Sequence, residues 1–520
     1  MKTMMTSLST PLTGAKMTEW TVIHIDEPML SFGFNQQTEH PKDGLFLYGP
    51  PASNQNPARM DVGVIGTPNG IRRYEAWIKT LSSTIAAPAT GREENKTMWP
   101  GFEATFGVPW PTKPFTTITI DGDLLSRRIR IEDRHQGIFR AVDVYGDALR
   151  KYLREQEARP QFWFAVLPEE VFRYGRPKSV IPREQREPAT GPIGRKAAKS
   201  ILSKGSMFVE EMEAAALYEY ELNFHNQLKA RLLDTGQVLQ VVRETTLTPD
   251  EFEEGTRRSL QDPASIAWNL ATTSFYKAGG RPWRVADVRE GVCYVGLVFK
   301  HIENAKGRDN ACCGAQMFLN SGEGVVFKGA VGPWFSEADN SFHLSRVKAR
   351  ELMGMVISSY EEMHGQPPAE LFIHGKTWFE KEEWEGFQST VPPQTRLVGI
   401  RIRRQNEVKL FRYGSRPVLR GTAILASERR AYLWTTGFTP RLNTYPGREL
   451  PNPITVDIVN GEADIRQVLQ DLMALTKLNF NNAGFSDGLP VTLRFADLTG
   501  EILTAGPTNV AAPLPFRFYI

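Results

Sequence analysis

The sequence predicts an α/β protein of two units, an alternating strand-helix unit followed by a sheet-rich one with an RNase H-like order of elements. Three observations carry this. Short apolar runs alternate with amphipathic helical segments up to about residue 250. From Val292 onward, closely spaced strand-like runs (CYVGLVF, AQMFL, GVVFKG) precede a helix over 345–363 and a further strand, ELFIH. The chain's 520 residues suffice for two or three domains with a large core.

Taken in order, MKTMMTSLSTPLTGAKM is polar, without a continuous apolar stretch, and is expected to be a disordered leader over residues 1–20. TVIHI, DVGVIGT, TTITI and QFWFAVLP are expected strands, and IRRYEAWIKTL and GIFRAVDVYGDALRKYLREQEA expected helices. The glycines of GVIGTPNGI follow a strand and precede a helix, but they lack the G-x-G-x-x-G spacing of a dinucleotide loop. A segment carrying Arg173, Arg176, Lys178, Arg183, Arg186, Arg195, Lys196, Lys199 and Lys204 is strongly basic; its Pro and Gly content suits a solvated loop as well as a phosphate-attracting patch. A helical pattern over 208–233 stops at Gly236, and the strand VLQVV follows. Asp262-Pro263 is an N-cap with proline at the first helical position, so a helix runs from there to Lys277 and stops at Gly279. The unit boundary is placed near residue 270. After ELFIH, the strands LVGIRI, KLFRY, GTAIL and AYLWTT, the helix ADIRQVLQDLMALTKL and the strand LPVTLRFA complete the reading.

A formal charge of +3, from 62 basic and 59 acidic residues, does not by itself mark a nucleic-acid binder. Three cysteines, two of them adjacent, build neither a zinc spacing nor a disulfide framework and suit a reducing cytoplasm. No apolar stretch is long enough to span a bilayer.

His225 and Lys229 stand four apart, on one helix face, and Gln240 lies on the following strand. Such a pair is equally at home on a solvated face. Lys277, in a last helical turn, complements the helix dipole without further function. Arg401, Arg403 and Arg404 on one strand, with Arg243 elsewhere, are candidates for nucleic-acid backbone contacts or for ordinary surface ion pairs.

The ordered set FHNQLKARLL, VLQVVRETTL, LATTSFYKAGGRPWRV, CYVGLVF, PNPITVDI, DLMALTKLNFN and LPVTLRFADLTGEIL resembles the Argonaute proteins, in particular short prokaryotic Argonautes with MID and PIWI domains and no N or PAZ domain. The resemblance covers residues 21–520 and implies a Rossmann-like MID domain over 21–270 and an RNase H-like PIWI domain over 271–520. It implies a guide 5′-phosphate pocket of His225 (tyrosine in many relatives), Lys229, Gln240 and Lys277, with Mg²⁺ held there by Gln240 and the Ile520 carboxylate. A terminal phosphate with nearly two charges needs such converging cations. FRFYI is then a buried terminus; read alone, it is equally an edge strand. PIWI slicing needs acidic ligands for two metals. Here the first acid falls at Val298, the second near Gly375 or Lys376, and only Asp497 matches the last, so no slicing is expected. The implied role is recognition of complementary single-stranded invading DNA with a small guide RNA. Its output comes from an APAZ-containing partner with a TIR or sirtuin-like NADase. Two alternatives stay open: a metal-dependent nuclease rebuilt from His374, Glu380 and Asp497, and a guide-loaded binder without an effector.

Overall fold

A computed structural model describes residues 20–87, 97–189, 193–252, 261–286, 289–301, 311–319, 324–331, 334–336, 341–445, 447, 449–507 and 514–520; between 301 and 335 it describes backbone only. The expected leader, apart from Trp20, lies outside these residues.

The first sheet has four parallel strands in the order Thr116–Thr119, Val62–Gly66, Phe162–Leu167, Leu239–Arg243. Its two central strands are buried along their whole length, which is why they read as unbroken apolar runs. Val62, Val64, Phe162, Phe164 and Val166 face one way, against Tyr74, Trp77 and Ile78 of the helix Pro68–Leu81. Ile65, Trp163, Ala165 and Leu167 face the other, against Ile138, Val142, Tyr145 and Leu149 of Arg134–Glu155. Period-two burial on a strand flanked by two helical layers is the α/β arrangement the alternation predicted. In GVIGTPNGI, Thr67 caps the helix through Gly70 N at 3.1 Å and also bonds the buried Glu244 carboxylate at 3.3 Å. An acid at that turn opposes a phosphate, so the turn is not a nucleotide cradle.

The second sheet has ten strands, in the order Thr21–His24, Thr422–Ser427, Arg430–Leu433, Ile454–Asn460, Arg396–Arg404, Glu370–Gly375, Val292–His301, Ala311–Leu319, Gly324–Val331, Leu514–Pro515. Glu370–Gly375 runs parallel to both neighbours, and the strands before it pair antiparallel. This is the RNase H-like order. The helix Arg346–His364 covers one face through Leu352, Met353 and Val356. Ile465–Leu475 and Val491–Leu503 cover the other, packing on Tyr294, Val298, Phe372 and Val398. Gly296 lets the Val491 helix approach, because a Cβ there would lie 2.0 Å from the Thr492 carbonyl oxygen.

Several expectations change. TVIHI leaves the first unit: Thr21–His24 pairs with Thr422–Leu425 at the edge of the second sheet. LPVTLRFA begins a helix, since the alternation of Val491, Leu493 and Phe495 continues as buried Ala496, Thr499, Ile502 and Leu503, a helical spacing. KLFRY is loop. The pattern over 208–233 breaks into Val209–Ala216 and Phe224–Leu232, the second restarted by an Asn223 cap. Within the basic segment, Arg195–Lys204 is a helix seated by Ala198 with its cations outward. Residue 270 falls inside the continuous helix Pro263–Lys277. No described helix is long and apolar enough to cross a membrane.

Candidate functional site

Two lysines from separate helices converge on one point. Phe224, Leu228 and Leu232 seat their helix against the first sheet, which turns Lys229 toward the second unit. Pro263–Lys277 ends at Gly279, whose φ of +101° suits glycine, and its last residue points the same way. Lys229 and Lys277 are 3% and 1% exposed. The Lys229 ammonium donates to the Tyr519 carbonyl at 3.1 Å and to the Ile520 oxygen. That of Lys277 donates to the Leu239 carbonyl at 2.6 Å and to the same Ile520 oxygen at 2.5 Å. Among the described residues, no Asp or Glu side chain pairs with either. Burial pushes the Lys229 pKa down to about 7; burial and the Lys229 charge push that of Lys277 well down.

The other expected pocket residues adjoin this point. Gln240 follows Leu239 on the strand; its Nε2 donates to Val241 O at 3.2 Å, while its buried Oε1 has no hydrogen-bond partner. The His225 ring meets Asn226 Oδ1 at 3.1 Å and is open to solvent on its outer side, yet the crowding walls and the Lys229 charge lower its pKa. FRFYI is not an edge strand: Phe516–Phe518 is a short 3-10 helix, Phe516 stacks on Phe495 at 3.9 Å, and Ile520 is buried.

The expected slicer position is built otherwise. Val298 is 3% exposed in an apolar layer. Lys376, just past the strand Glu370–Gly375, holds both oxygens of Asp497 at 2.7 and 2.5 Å. Lys300 lies 3.9 Å from Asp497 and 3.4 Å from Glu501. His374 is buried, bonded to Thr492 Oγ1 at 2.9 Å, with its pKa driven down to about 3 by burial. Glu380 is occupied as the cap of Lys381–Gln388.

Solved structures similar to nearly all of this chain are Clostridium butyricum Argonaute bound to a guide DNA (5′ deoxycytidine) and a 19-mer target DNA (16% identity, TM-score 0.62), Aa-Ago with externally bound siRNA (15%, 0.53) and Drosophila Piwi (15%, 0.55). They align over 97%, 96% and 96% of this chain and 55%, 56% and 56% of their own. The fold is that of the Argonaute proteins. The chain spans about half the length of these structures, and neither a family model nor a curated protein matches it.

In Argonaute terms the four-stranded parallel sheet is the MID core and the ten-stranded sheet the PIWI core. The arginine candidates divide within it. Arg403 and Arg404 are exposed at the end of their strand. Arg401, by contrast, is 7% exposed, faces Asp457 at 3.7 Å and stacks over Trp378 at 4.2 Å, so it is committed inside the sheet. Arg243 is likewise engaged, by Thr245 Oγ1 at 2.7 Å, Glu169 at 3.4 Å and the Phe172 ring at 4.0 Å.

Sequence reasoning assigned no role to Lys477, although LTKLN was among the segments carrying the resemblance. Its ammonium meets Glu27 at 2.6 Å and the Glu39 carbonyl at 3.0 Å, and lies 3.4 Å over the Phe485 ring. Arg420 holds the same Glu27 at 2.8 Å. Trp283 of the GGRPW turn donates to the Lys477 carbonyl at 2.9 Å and packs on Phe480, ring centres 5.2 Å apart. The two most specific segments thus meet in one buried joint behind Lys277. The signal was a lysine inside an otherwise apolar helix end, which requires a partner.

Proposed function

We propose that this chain binds the 5′-phosphorylated end of a guide strand at Lys229, Lys277, Gln240 and His225 and uses the guide to recognise a complementary strand without cutting it. The observation that carries the reading is the pair of buried amines aimed at one point, the Ile520 oxygen, with no Asp or Glu side chain among the described residues opposite them. The Tyr519 and Leu239 carbonyls and the one shared Ile520 oxygen only partly offset the cost of burying two like charges, so an arriving dianion gains strong charge-assisted bonds. His225, open on its outer side and held neutral, would stack on or donate to the first nucleotide. A divalent cation fits the unpartnered Gln240 Oε1; held between it and the Ile520 oxygen, it would neutralise phosphate charge. Exposed Arg403 and Arg404 would contact the guide-target backbone. Small RNA as guide and single-stranded DNA as target follow from the resemblance to short prokaryotic Argonautes.

The absence of cutting rests on Val298, Lys376 and Lys300, an apolar side chain and two ammonium groups around the one carboxylate of Asp497, where a two-metal centre would need several acids. A protein that recognises without cutting needs another output. An APAZ-containing partner with a TIR or sirtuin-like domain would convert target binding into NAD loss during defence against invading DNA. The test is fluorescence anisotropy with an 18-nucleotide RNA bearing a 5′-phosphate or a 5′-hydroxyl. Lys229→Ala and Lys277→Ala should each lose about 1.5–3 kcal/mol for the phosphorylated strand, roughly ten- to hundredfold, and should narrow its advantage over the hydroxyl strand. Parent-like affinity and discrimination in both variants would remove the pocket assignment.

A further inference from the structure

The segment that the sequence suggested as a strand, KLFRY, is a surface loop whose side chains alternate in and out as far as Phe411. Val408 and Leu410 turn inward onto Val418, Ile424 and Trp434. Lys409, Phe411 and Tyr413 turn outward, and the two aromatics are 73% and 104% exposed. Lys409 bonds Asn452 Oδ1, and Arg416 packs over Phe438 at 4.6 Å and bonds Asn443 at 2.9 Å, so the loop is fastened at both ends. Val408 and Leu410 fix the loop's course as far as Phe411, and residues 411–416 then stand clear of the core until Arg416 refastens the chain, so both aromatic rings are presented between two anchored points.

Charge and position indicate what it meets. Residues 403–416 contain Arg403, Arg404, Lys409, Arg412 and Arg416 against the single acid Glu407. The guanidinium groups of Arg403, Arg404 and Arg412 have no ion-pair or hydrogen-bond partner among the described residues. The parallel register Gly375↔Arg401 carries Arg403 and Arg404 past the end of the Glu370–Gly375 strand, on the side where Lys376 follows. The loop therefore continues outward from the strand end that carries the exposed Arg403 and Arg404. A cleft of about 420 Å³ lined by Arg404, Asn406, Tyr445, Glu449 and Asn452 adjoins it.

We infer that Phe411 and Tyr413 form a stacking platform for unpaired nucleotides, with Arg412 and Arg404 on the phosphates: a sequence-tolerant contact for single-stranded nucleic acid. Every base offers a π face, and flanking cations follow the backbone, so aromatics interleaved with cations suit a single strand. The source of that strand, the unpaired stretch of a target, rests on the proposed function; the contact itself does not.

The test uses the full chain without guide and a mixed-sequence 30-nucleotide DNA whose 5′ end is blocked by fluorescein, titrated at several KCl concentrations. Phe411→Ala/Tyr413→Ala should weaken binding roughly ten- to hundredfold at every salt concentration with the slope against log[KCl] unchanged. Arg412→Ala should lower that slope by about 0.7, and Phe411→Tyr/Tyr413→Phe should keep parent affinity. Equal binding by the parent and the double alanine variant overturns the platform, as does loss in the conservative variant. Because the 5′ end is blocked, failure here leaves the phosphate pocket standing, and failure of the pocket's phosphate preference leaves this contact standing.

Discussion

Lys229 and Lys277 in the MID pocket and Lys300 and Lys376 at the PIWI strand ends are the same side chain in opposite settings. The first two are buried and meet the Tyr519 and Leu239 carbonyls and the shared Ile520 oxygen, with no Asp or Glu side chain among the described residues. The second two are part-exposed and meet Asp497 and Glu501. Charge in the second cluster is cancelled locally and screened by water, so it offers little to an incoming anion. In the first no acidic side chain cancels it and it is poorly hydrated, a costly state that a further anion relieves. Counting lysines would rank the two places alike; burial and the lack of a described acidic side chain at the first separate them.

The largest effect expected from breaking this contrast comes from restoring an acid to the apolar side of the PIWI position. Val298→Asp would put a carboxylate into a layer of apolar side chains, and an uncompensated buried charge costs about 3–5 kcal/mol. Urea unfolding should show a correspondingly lower midpoint, with no Mg²⁺-dependent cleavage gained. A variant as stable as the parent would mean that the acid had found Lys300, and that this cluster is open to charge after all.

The MID pocket is sharpened by pH. Lys229, with a folded pKa of about 7, lies below the ordinary lysine value, and Lys277 shifts the same way. Between about pH 7 and the unfolded value near 10.4, the unfolded chain holds protons the folded pocket has released, so pocket lysines make stability rise with pH across that window. Guide phosphate needs the protonated amines, so its stabilising effect should move oppositely. The melting-temperature increment given by a 5′-phosphorylated strand over its 5′-hydroxyl counterpart should be largest near neutrality and shrink toward pH 10. An increment that grows with pH would rule out the ammonium groups as the phosphate ligands.

Much of this was legible in the residues. The central strands Val62–Gly66 and Phe162–Leu167 announced themselves as unbroken apolar runs, and the Asp262-Pro263 start and Gly279 stop bounded the helix that delivers Lys277. Spacing put His225 and Lys229 on one helix face, but it could not bring Lys277 to them; the resemblance supplied that expectation, and packing of the two units realises it. What local pattern misjudged were places where distant partners decide. LPVTLRFA alternates over five residues and becomes helix because its first turn seats the Thr492 backbone on Gly296 and its later apolar positions are buried at helical spacing. TVIHI carries no mark of which sheet it will edge, and only pairing with residues 422–425 tells. Arg401 and Arg403 share a strand, yet a cross-strand Asp457 claims the first.

The smallest effect belongs to the Lys376–Asp497 pair itself. Its side chains are 41% and 30% exposed, and both bonds compete with water. Lys376→Ala should therefore change stability by about 0–1 kcal/mol. It should also leave cleavage absent, because releasing Asp497 provides one carboxylate beside Lys300 and still leaves Val298 without an oxygen for a metal. Parallel melting curves and a Mg²⁺ or Mn²⁺ cleavage assay on a guide-paired strand check both halves. Cleavage that appeared on removing this one ammonium would identify Lys376 as the residue holding a competent centre silent, and the two lysine clusters would then differ in degree of shielding rather than in kind.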